Sequence, residues 1–429
     1  MLLTHADILL QKKDSWSIIK DGYLGIEGSR IAYIGSERPL ADFGLEKNLS
    51  GHLVMAGLYN LHTHTSMVLL RGLGSNLPLE RWLHEAMFPN EAKFTREDVS
   101  VGTRLAMMEM LASGVVSFSD MYDQTVVTAE ELLNAGMKAN LNRPVLSFDP
   151  TETYADSYRV RESLQFFKDF NGAGEGRLIV DFAIHAEYTS HAALIRPYAQ
   201  ACATHGARMH LHLSETIKEH RECKERHGKT PTQWFNDLGV FDNPTLAAHC
   251  VAVEPCDIEI LAQKHVVCVH NPSSNMKLGS GFMPIQALLA KGVSIAIGTD
   301  GAASNNNLNL FEEMHLASLI HKGYTADPTL LQPEEILSMA TFNGAIGQGR
   351  TDCGQLAVGN KADLIAVNLD APHLMPVHDV PALLVYSAQS SDVDLTMVDG
   401  KILYERGEYL TIEYEKVKFD LNRSFKRLF

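Results

Sequence analysis

The sequence predicts an α/β protein: a (β/α)8 TIM barrel carrying a small β-sandwich domain built from both chain ends. Three observations predict it. From Met55 onward, strand-length runs rich in Val, Ile, Phe and Leu alternate with helical patterns, and that alternation implies a parallel sheet. Eight such units follow one another in roughly the 250 residues that a closed barrel occupies. On either side, residues 1–54 and 355–429 lose the rhythm and read as short strands, leaving 55–354 as the barrel domain. An open doubly wound sheet is the alternative use of the same units.

Taken in order, Ala6–Leu10, Gly22–Glu27 and Ile31–Ile34 are strand-length apolar stretches, separated by the turn signals Asp21-Gly22 and Glu27-Gly28-Ser29. The run Leu53–Leu58 reads as one buried strand leading to His62 and His64. The later strands are Gly114–Tyr122, Lys138–Val145, Arg177–His185, Arg208–Leu213, Thr245–Cys250, Val266–His270 and Ser294–Thr299. Helical runs such as Val99–Ala112, Ala192–His205, Asp257–Lys264 and Pro284–Lys291 lie between them. Beyond Gln355, Ala362–Val367 and Leu395–Tyr404 are strands again, the second turning at Asp399-Gly400, and Glu413–Leu428 is helical.

Composition narrows the function. Of 429 residues, 45% are hydrophobic and 21% charged, as in a soluble globular protein with a large core. The net charge of −15 makes the phosphates of nucleic acid or an anionic membrane unfavourable partners, which leaves a small molecule. Six cysteines without a Cys-x-x-Cys pair read as reduced thiols. The opening Met1–Asp7 has no basic and apolar leader pattern, and no apolar run reaches the roughly 20 residues of a membrane span, so a cytoplasmic location is expected.

Barrel chemistry is set by what ends each strand, because the active site sits at the carboxyl-terminal face. The first strand ends in His62-Thr63-His64, whose side chains, two residues apart, share a face. One such pair proves little in a chain with 19 histidines, and His210-Leu211-His212 is a second. Of that second pair His212 lies nearer the strand's end, followed by Glu215. The sixth strand ends in His249 and the eighth in Asp300. Imidazoles and carboxylates converging from separate strands suit a catalytic metal with one position left for water. Singly, each has a plainer reading: a strand-end histidine is often a hydrogen-bonded core residue, and Asp300 before Gly301 could cap a turn. His270, before Asn271-Pro272, fits the plainer reading best.

These motifs resemble the amidohydrolase superfamily, in its branch of metal-dependent deaminases and chlorohydrolases, and most nearly the S-adenosylhomocysteine/5'-methylthioadenosine deaminases. The resemblance covers nearly the whole chain. It rests on Gly57–His64, His212-Leu213-Ser214-Glu215, Ala248-His249-Cys250, His270–Leu278 and Gly298–Asn306. It implies that His62, His64, His212 and Asp300 hold one zinc ion per subunit, or Fe2+ in its place. His249 would hydrogen-bond the hydrolytic water and Glu215 would shuttle protons, as a carboxylate beside a metal-activated water can. Substrate contacts are implied for Trp82, Arg143, Arg159, His185 and Ser304. Arg81 stands where the resemblance puts a glutamate that grips a ribose diol. Arg143 and Arg159 could equally be surface salt-bridge partners, and Trp82 could simply pack under a lid.

The implied reaction is hydrolytic deamination of an amino-substituted N-heterocycle, foremost an adenine nucleoside thioether or adenosine. Another purine, a pterin, a pyrimidine or a chlorotriazine is the alternative. A carbamate-bridged binuclear site would need a lysine ending the fourth strand, where Arg177–Glu187 has none. The cytidine-deaminase pattern needs Pro-Cys-x-x-Cys, and Pro255-Cys256 lacks the second cysteine. Relatives of this kind are commonly oligomers, so a homo-oligomer is expected. A metal-binding barrel without activity would have no use for Glu215.

Overall fold

A computed structural model gives the fold of residues 1–12 and 15–429. The chain opens with a long antiparallel pair, β1 (Leu2–Lys12) and β2 (Ser15–Glu27), extended by β3 (Arg30–Gly35). β1 also pairs in parallel with β4 (Glu46–Asn48) and β5 (His52–Ala56). β1 and β2 run further than the apolar stretches predicted, because exposed polar positions such as His5, Lys20 and Asp21 interrupt the apolar pattern along them.

At Gly57 the chain leaves this sheet. A Cβ there would lie 2.2 Å from Cγ1 of Val116, so any other residue would force the crossing apart. The next strand, β6 (Leu58–Thr63), belongs to the barrel. The single strand expected over Leu53–Leu58 is therefore two strands in two sheets, and position 54 falls inside β5.

The barrel wall continues through β7 (Val115–Met121), β8 (Lys138–Asn142), β9 (Pro144–Val145), β10 (Leu178–Val180), β11 (Phe182–Ile184), β12 (Met209–Leu213), β13 (Thr245–His249), β14 (Val267–His270) and β15 (Ser294–Ile297). All pairings among them are parallel, as alternation with helices requires. Two predicted strands are each interrupted by one residue, Arg143 between β8 and β9 and Asp181 between β10 and β11. The wall is thus two sheets, ordered β6-β7-β8-β10 and β9-β11-β12-β13-β14-β15. Beyond the end of β15, the Asp300 N–H donates to the carbonyl of His62 in β6 (2.9 Å) and the Thr299 N–H to Oδ1 of Asn60 in the same strand (3.0 Å). Flanking helices include Arg96–Ala112, started by a reciprocal cap between Thr95 and Asp98.

The remaining strands, β16 (Leu364–Asn368), β17 (Val393–Val398), β18 (Lys401–Glu405) and β19 (Glu408–Tyr409), return to the first sheet. β16 pairs antiparallel with β5, so both chain ends share one nine-stranded mixed sheet. The turn from β17 to β18 sits at Asp399-Gly400, both at positive φ (48° and 75°), as a two-residue hairpin turn requires. The last helix, Tyr414–Leu428, lies along Arg96–Ala112 and is tied to it by Arg104–Asp420 (3.0 Å). Among the described residues, no helix is long and apolar enough to cross a membrane.

Candidate metal centre and active site

The strand ends bring together the groups the sequence singled out. His62 is fully buried at the end of β6, and its Nδ1 lies 3.0 Å from His210 Nε2. His64 Nδ1 donates to the Met121 carbonyl (2.6 Å), and His212 Nδ1 donates to the His185 carbonyl (2.7 Å). Those two bonds fix the tautomers and turn both Nε2 lone pairs toward the barrel axis. There His64 Nε2 and His212 Nε2 are 3.4 Å apart. Asp300 Oδ1 lies 3.3 Å from His62 Nε2 and 3.2 Å from His64 Nε2. Asp300 is aimed by its other oxygen, which accepts from Ser274 Oγ (2.6 Å) and Ser304 Oγ (2.8 Å). Its φ of 60° and the 74° of His249 are left-handed conformations that residues other than glycine seldom adopt, concentrated here at the strand ends.

These atoms fit a metal ion. The ligand atoms of His62, His64 and Asp300, and those of His62, His212 and His249, lie within 4.8 Å of one another. Two ligands of a tetrahedral zinc with bonds of 2.0–2.1 Å sit about 3.3 Å apart, which is the spacing seen. His62 Nε2 is buried and has no hydrogen-bond partner, an arrangement that a cation would complete. Electrostatics agree. Burial pushes the His62 imidazole down to about 4, despite attraction to Asp300. Burial also opposes a charge on His64, yet the hydrogen bond and attraction to Asp300 outweigh it and raise that imidazole to about 9. The centre therefore favours one positive charge beside Asp300, which a proton or a metal can supply at the same nitrogen. Burial likewise opposes the charge on Asp300, but the two imidazoles hold its carboxyl well below the ordinary carboxylate range.

Glu215 and His249 stand next to this cluster. His249 Nδ1 donates to Asn275 Oδ1 (2.8 Å), and its Nε2 lies 3.9 Å from Glu215 Oε2. Burial raises the Glu215 carboxyl, with Asp300 adding to the shift and His249 opposing it. Its backbone is pinned by Glu219, whose carboxylate accepts from the N–H groups of Glu215 (2.7 Å) and Ser214 (3.2 Å). A carboxyl whose hold on its proton is strengthened by burial, kept at one place, is equipped for proton transfer.

The cluster floors a cavity of about 720 Å³. Trp82, Arg143, Arg159 and His185 line it. Two predicted contacts are corrected. Arg81 is exposed and turned outward, paired with Glu85 one helical turn away (2.7 Å), and is not part of the lining. Ser304 is buried behind Asp300 and orients it instead of facing the cavity. The carboxylate facing the cavity from that region is Glu91, whose oxygen accepts from the Tyr122 hydroxyl (2.7 Å) and whose pKa is raised by burial. Its only sequence signal was position, four residues after buried Met87 on the inward side. Asp123, Ser274, Asn275 and Glu219 were missed too, since each acts on another side chain or on backbone N–H groups, and His210, set aside as a ligand, meets His62 instead. His270 faces His321 (3.0 Å) in the core, in line with its plainer reading.

A barrel whose strand ends present three imidazoles and a carboxylate to one point, with a protonatable carboxyl alongside, defines the class of metal-dependent hydrolases. The model of the Amidohydrolase family matches residues 53–403, and the chain belongs to that family. It is 40% identical over 432 residues to the 5-methylthioadenosine/S-adenosylhomocysteine deaminase of Acetivibrio thermocellus, covering 100% of this chain and 99% of that one. It is 41% identical to the 5'-deoxyadenosine deaminase of Methanosarcina acetivorans, covering 97% and 95%. Among solved structures, a zinc-bound adenosine deaminase from Xanthomonas campestris superposes with a TM-score of 0.93 at 29% identity, covering 100% and 98%.

Proposed function

We propose that the protein hydrolytically deaminates the adenine ring of a nucleoside, either a 5'-thioether such as 5'-methylthioadenosine or S-adenosylhomocysteine, or 5'-deoxyadenosine or adenosine. The observation that carries this reading is Glu215 and His249 facing the converging donors of His62, His64, His212 and Asp300, at the floor of a cavity with room for a nucleoside. Full-length relatives named for adenine nucleosides support the ring chosen.

His62, His64, His212 and Asp300 would hold one metal ion per subunit, zinc by its taste for imidazole and carboxylate, with iron the alternative. Bound there, such an ion would lower the pKa of a water to about 7. Glu215 takes the water's proton and passes it to the ring nitrogen next to the amine-bearing carbon. The water's oxygen bonds to that carbon while His249 Nε2, its Nδ1 proton held by Asn275, accepts the oxygen's remaining O–H and Asp300 keeps the attacking side oriented. Glu215 then carries the hydroxyl's remaining proton to the amine, the carbon–amine bond breaks, ammonia leaves, and a ring carbonyl remains. Glu91 is placed to accept the hydroxyls of a ribose, Trp82 to cover the ring and His185 to approach its edge. Burial keeps His185 neutral, down to about 3.

The same reading extends to the assembly. Leu3, Leu24, Ile31, Ala366, Leu395 and Met397, from distant strands of the nine-stranded sheet, share one core, which supports a sandwich domain of 1–54 and 355–429 beside the barrel of 55–354. A homo-oligomer is expected and is tested by light scattering.

The test of function is ammonia release from adenosine, its 5'-thioether and 5'-deoxy forms, guanine, pterins, cytosine and chlorotriazines. Turnover of an adenine nucleoside above all others is expected, and turnover confined to another ring would replace this reading. Glu215→Gln should lower kcat about 10²–10⁴-fold with metal content unchanged by elemental analysis. Full turnover in that variant would refute the proton-transfer role.

A further inference from the structure

In the lining of the cavity Arg143 and Arg159 are already engaged. Asp123 Oδ1 accepts from Arg143 (2.5 Å) and from Arg159 (2.8 Å), and its Oδ2 accepts from Arg159 again (3.3 Å). Arg143 Nε also lies 2.5 Å from Glu162 Oε2, and both guanidiniums lie over the ring of Tyr158, 5.7 and 5.5 Å from its centre. Burial opposes a charge on Asp123, yet the two guanidiniums hold its carboxyl below the usual range, so it is ionised. Two positive charges thus meet two negative ones, and the cavity lining as a whole carries twice as many carboxylates as guanidiniums.

We infer that Asp123 is a specificity-determining residue that turns the enzyme toward nucleosides with a short uncharged 5' group and away from those ending in an amino acid. This rests on the adenine-nucleoside reading above and sharpens it. The names of the relatives leave both kinds of substrate open. Methylthioadenosine and 5'-deoxyadenosine end in an uncharged group. S-adenosylhomocysteine ends in a flexible zwitterion. To seat it, the cluster must exchange its own ion pairs for an equal number with the ligand. The ligand also gives up hydration and chain entropy, so the exchange brings no net gain. A free arginine pair would instead reward the carboxylate.

The experiment compares kcat/KM for 5'-methylthioadenosine and S-adenosylhomocysteine in the parent, Asp123→Asn and Asp123→Glu enzymes. The parent should favour methylthioadenosine by about tenfold. Asp123→Asn, which frees positive charge, should shift the ratio about tenfold toward S-adenosylhomocysteine, chiefly through KM. Asp123→Glu should keep the parent's ratio, which separates charge from packing. Parity or a preference for S-adenosylhomocysteine in the parent overturns the inference. So does an unmoved ratio in Asp123→Asn, or a Glu variant that behaves like the Asn variant. Failure of both compounds to release ammonia would instead refute the adenine-nucleoside reading itself.

Discussion

His210 shares its strand face with His212 but lies two residues deeper, where it meets another side chain instead of the cavity. If His62 turns Nε2 to a metal, its Nδ1 carries the proton and donates to His210 Nε2. His210 Nδ1 then carries a proton as well and needs an acceptor. It faces the Asn142 amide at 3.1 Å, whose Oδ1 has no partner, so rotating that amide by half a turn completes the chain of donors. His210 is thus a positioning residue, and His210→Ala should weaken metal binding about 10–100-fold in chelator competition. An unchanged affinity would show that packing alone orients His62. At this scale the sequence was most legible where a residue acts directly. The strand ends showed His62, His64, His212, His249 and Asp300, because position along a strand decides which face and which end a side chain reaches. Arg81 and Ser304 were misread and Glu91 was passed over because the segments beyond the strands carry no such rule. A one-turn error there moves a side chain from the cavity to solvent.

The alternation of strands and helices was readable because burial on both faces makes barrel strands continuously apolar. The interruptions were not. Asp181 breaks the fourth strand and lies buried between strands, where Asn140 Nδ2 donates to both its oxygens (3.1 and 2.9 Å). Burial raises its pKa from 3.8 to about 6, against the donation from Asn140. Folding therefore takes up a proton between those values. The unfolded chain binds fewer protons there, so this group's contribution to stability is present at low pH and lost as pH rises through about 6. Asp181→Asn removes the loss. Its stability relative to the parent, by urea unfolding, should rise by about 2 kcal/mol between about pH 4.5 and 7.5. A constant difference would place the proton elsewhere. Gly57 was equally hidden: the apolar run around it reads as one strand, and only the crowding by Val116 shows that two sheets begin there.

At the scale of the whole molecule, the barrel and the sheet of both ends are joined through buried charge. Lys138, at the start of β8, contacts Asp363 and lies 2.8 Å from Asp399, and Tyr59 donates to Asp363 (3.1 Å). Burial works against the charge of Asp363, but Lys138 holds its carboxyl below the ordinary range. Lys138→Met leaves that carboxylate unpaired and should cost about 3–5 kcal/mol, seen as a lower urea midpoint with barrel and sheet still unfolding together. No pattern foretold this contact, because 225 positions separate its partners and pairing at that distance leaves no periodic trace.

The partnership of β5 with β16 has a further consequence, for the order in which a ribosome delivers the parts. Residues 52–56 emerge early, flanked in parallel by β1, but their antiparallel neighbour at 364–368 is made only after the entire barrel. Throughout synthesis that edge stays open, a bare row of amides and carbonyls beside newly made hydrophobic strands. The protein's exposure to mispairing is thus set by elongation speed, and stalled chains ending before 364 should be its most chaperone-dependent form.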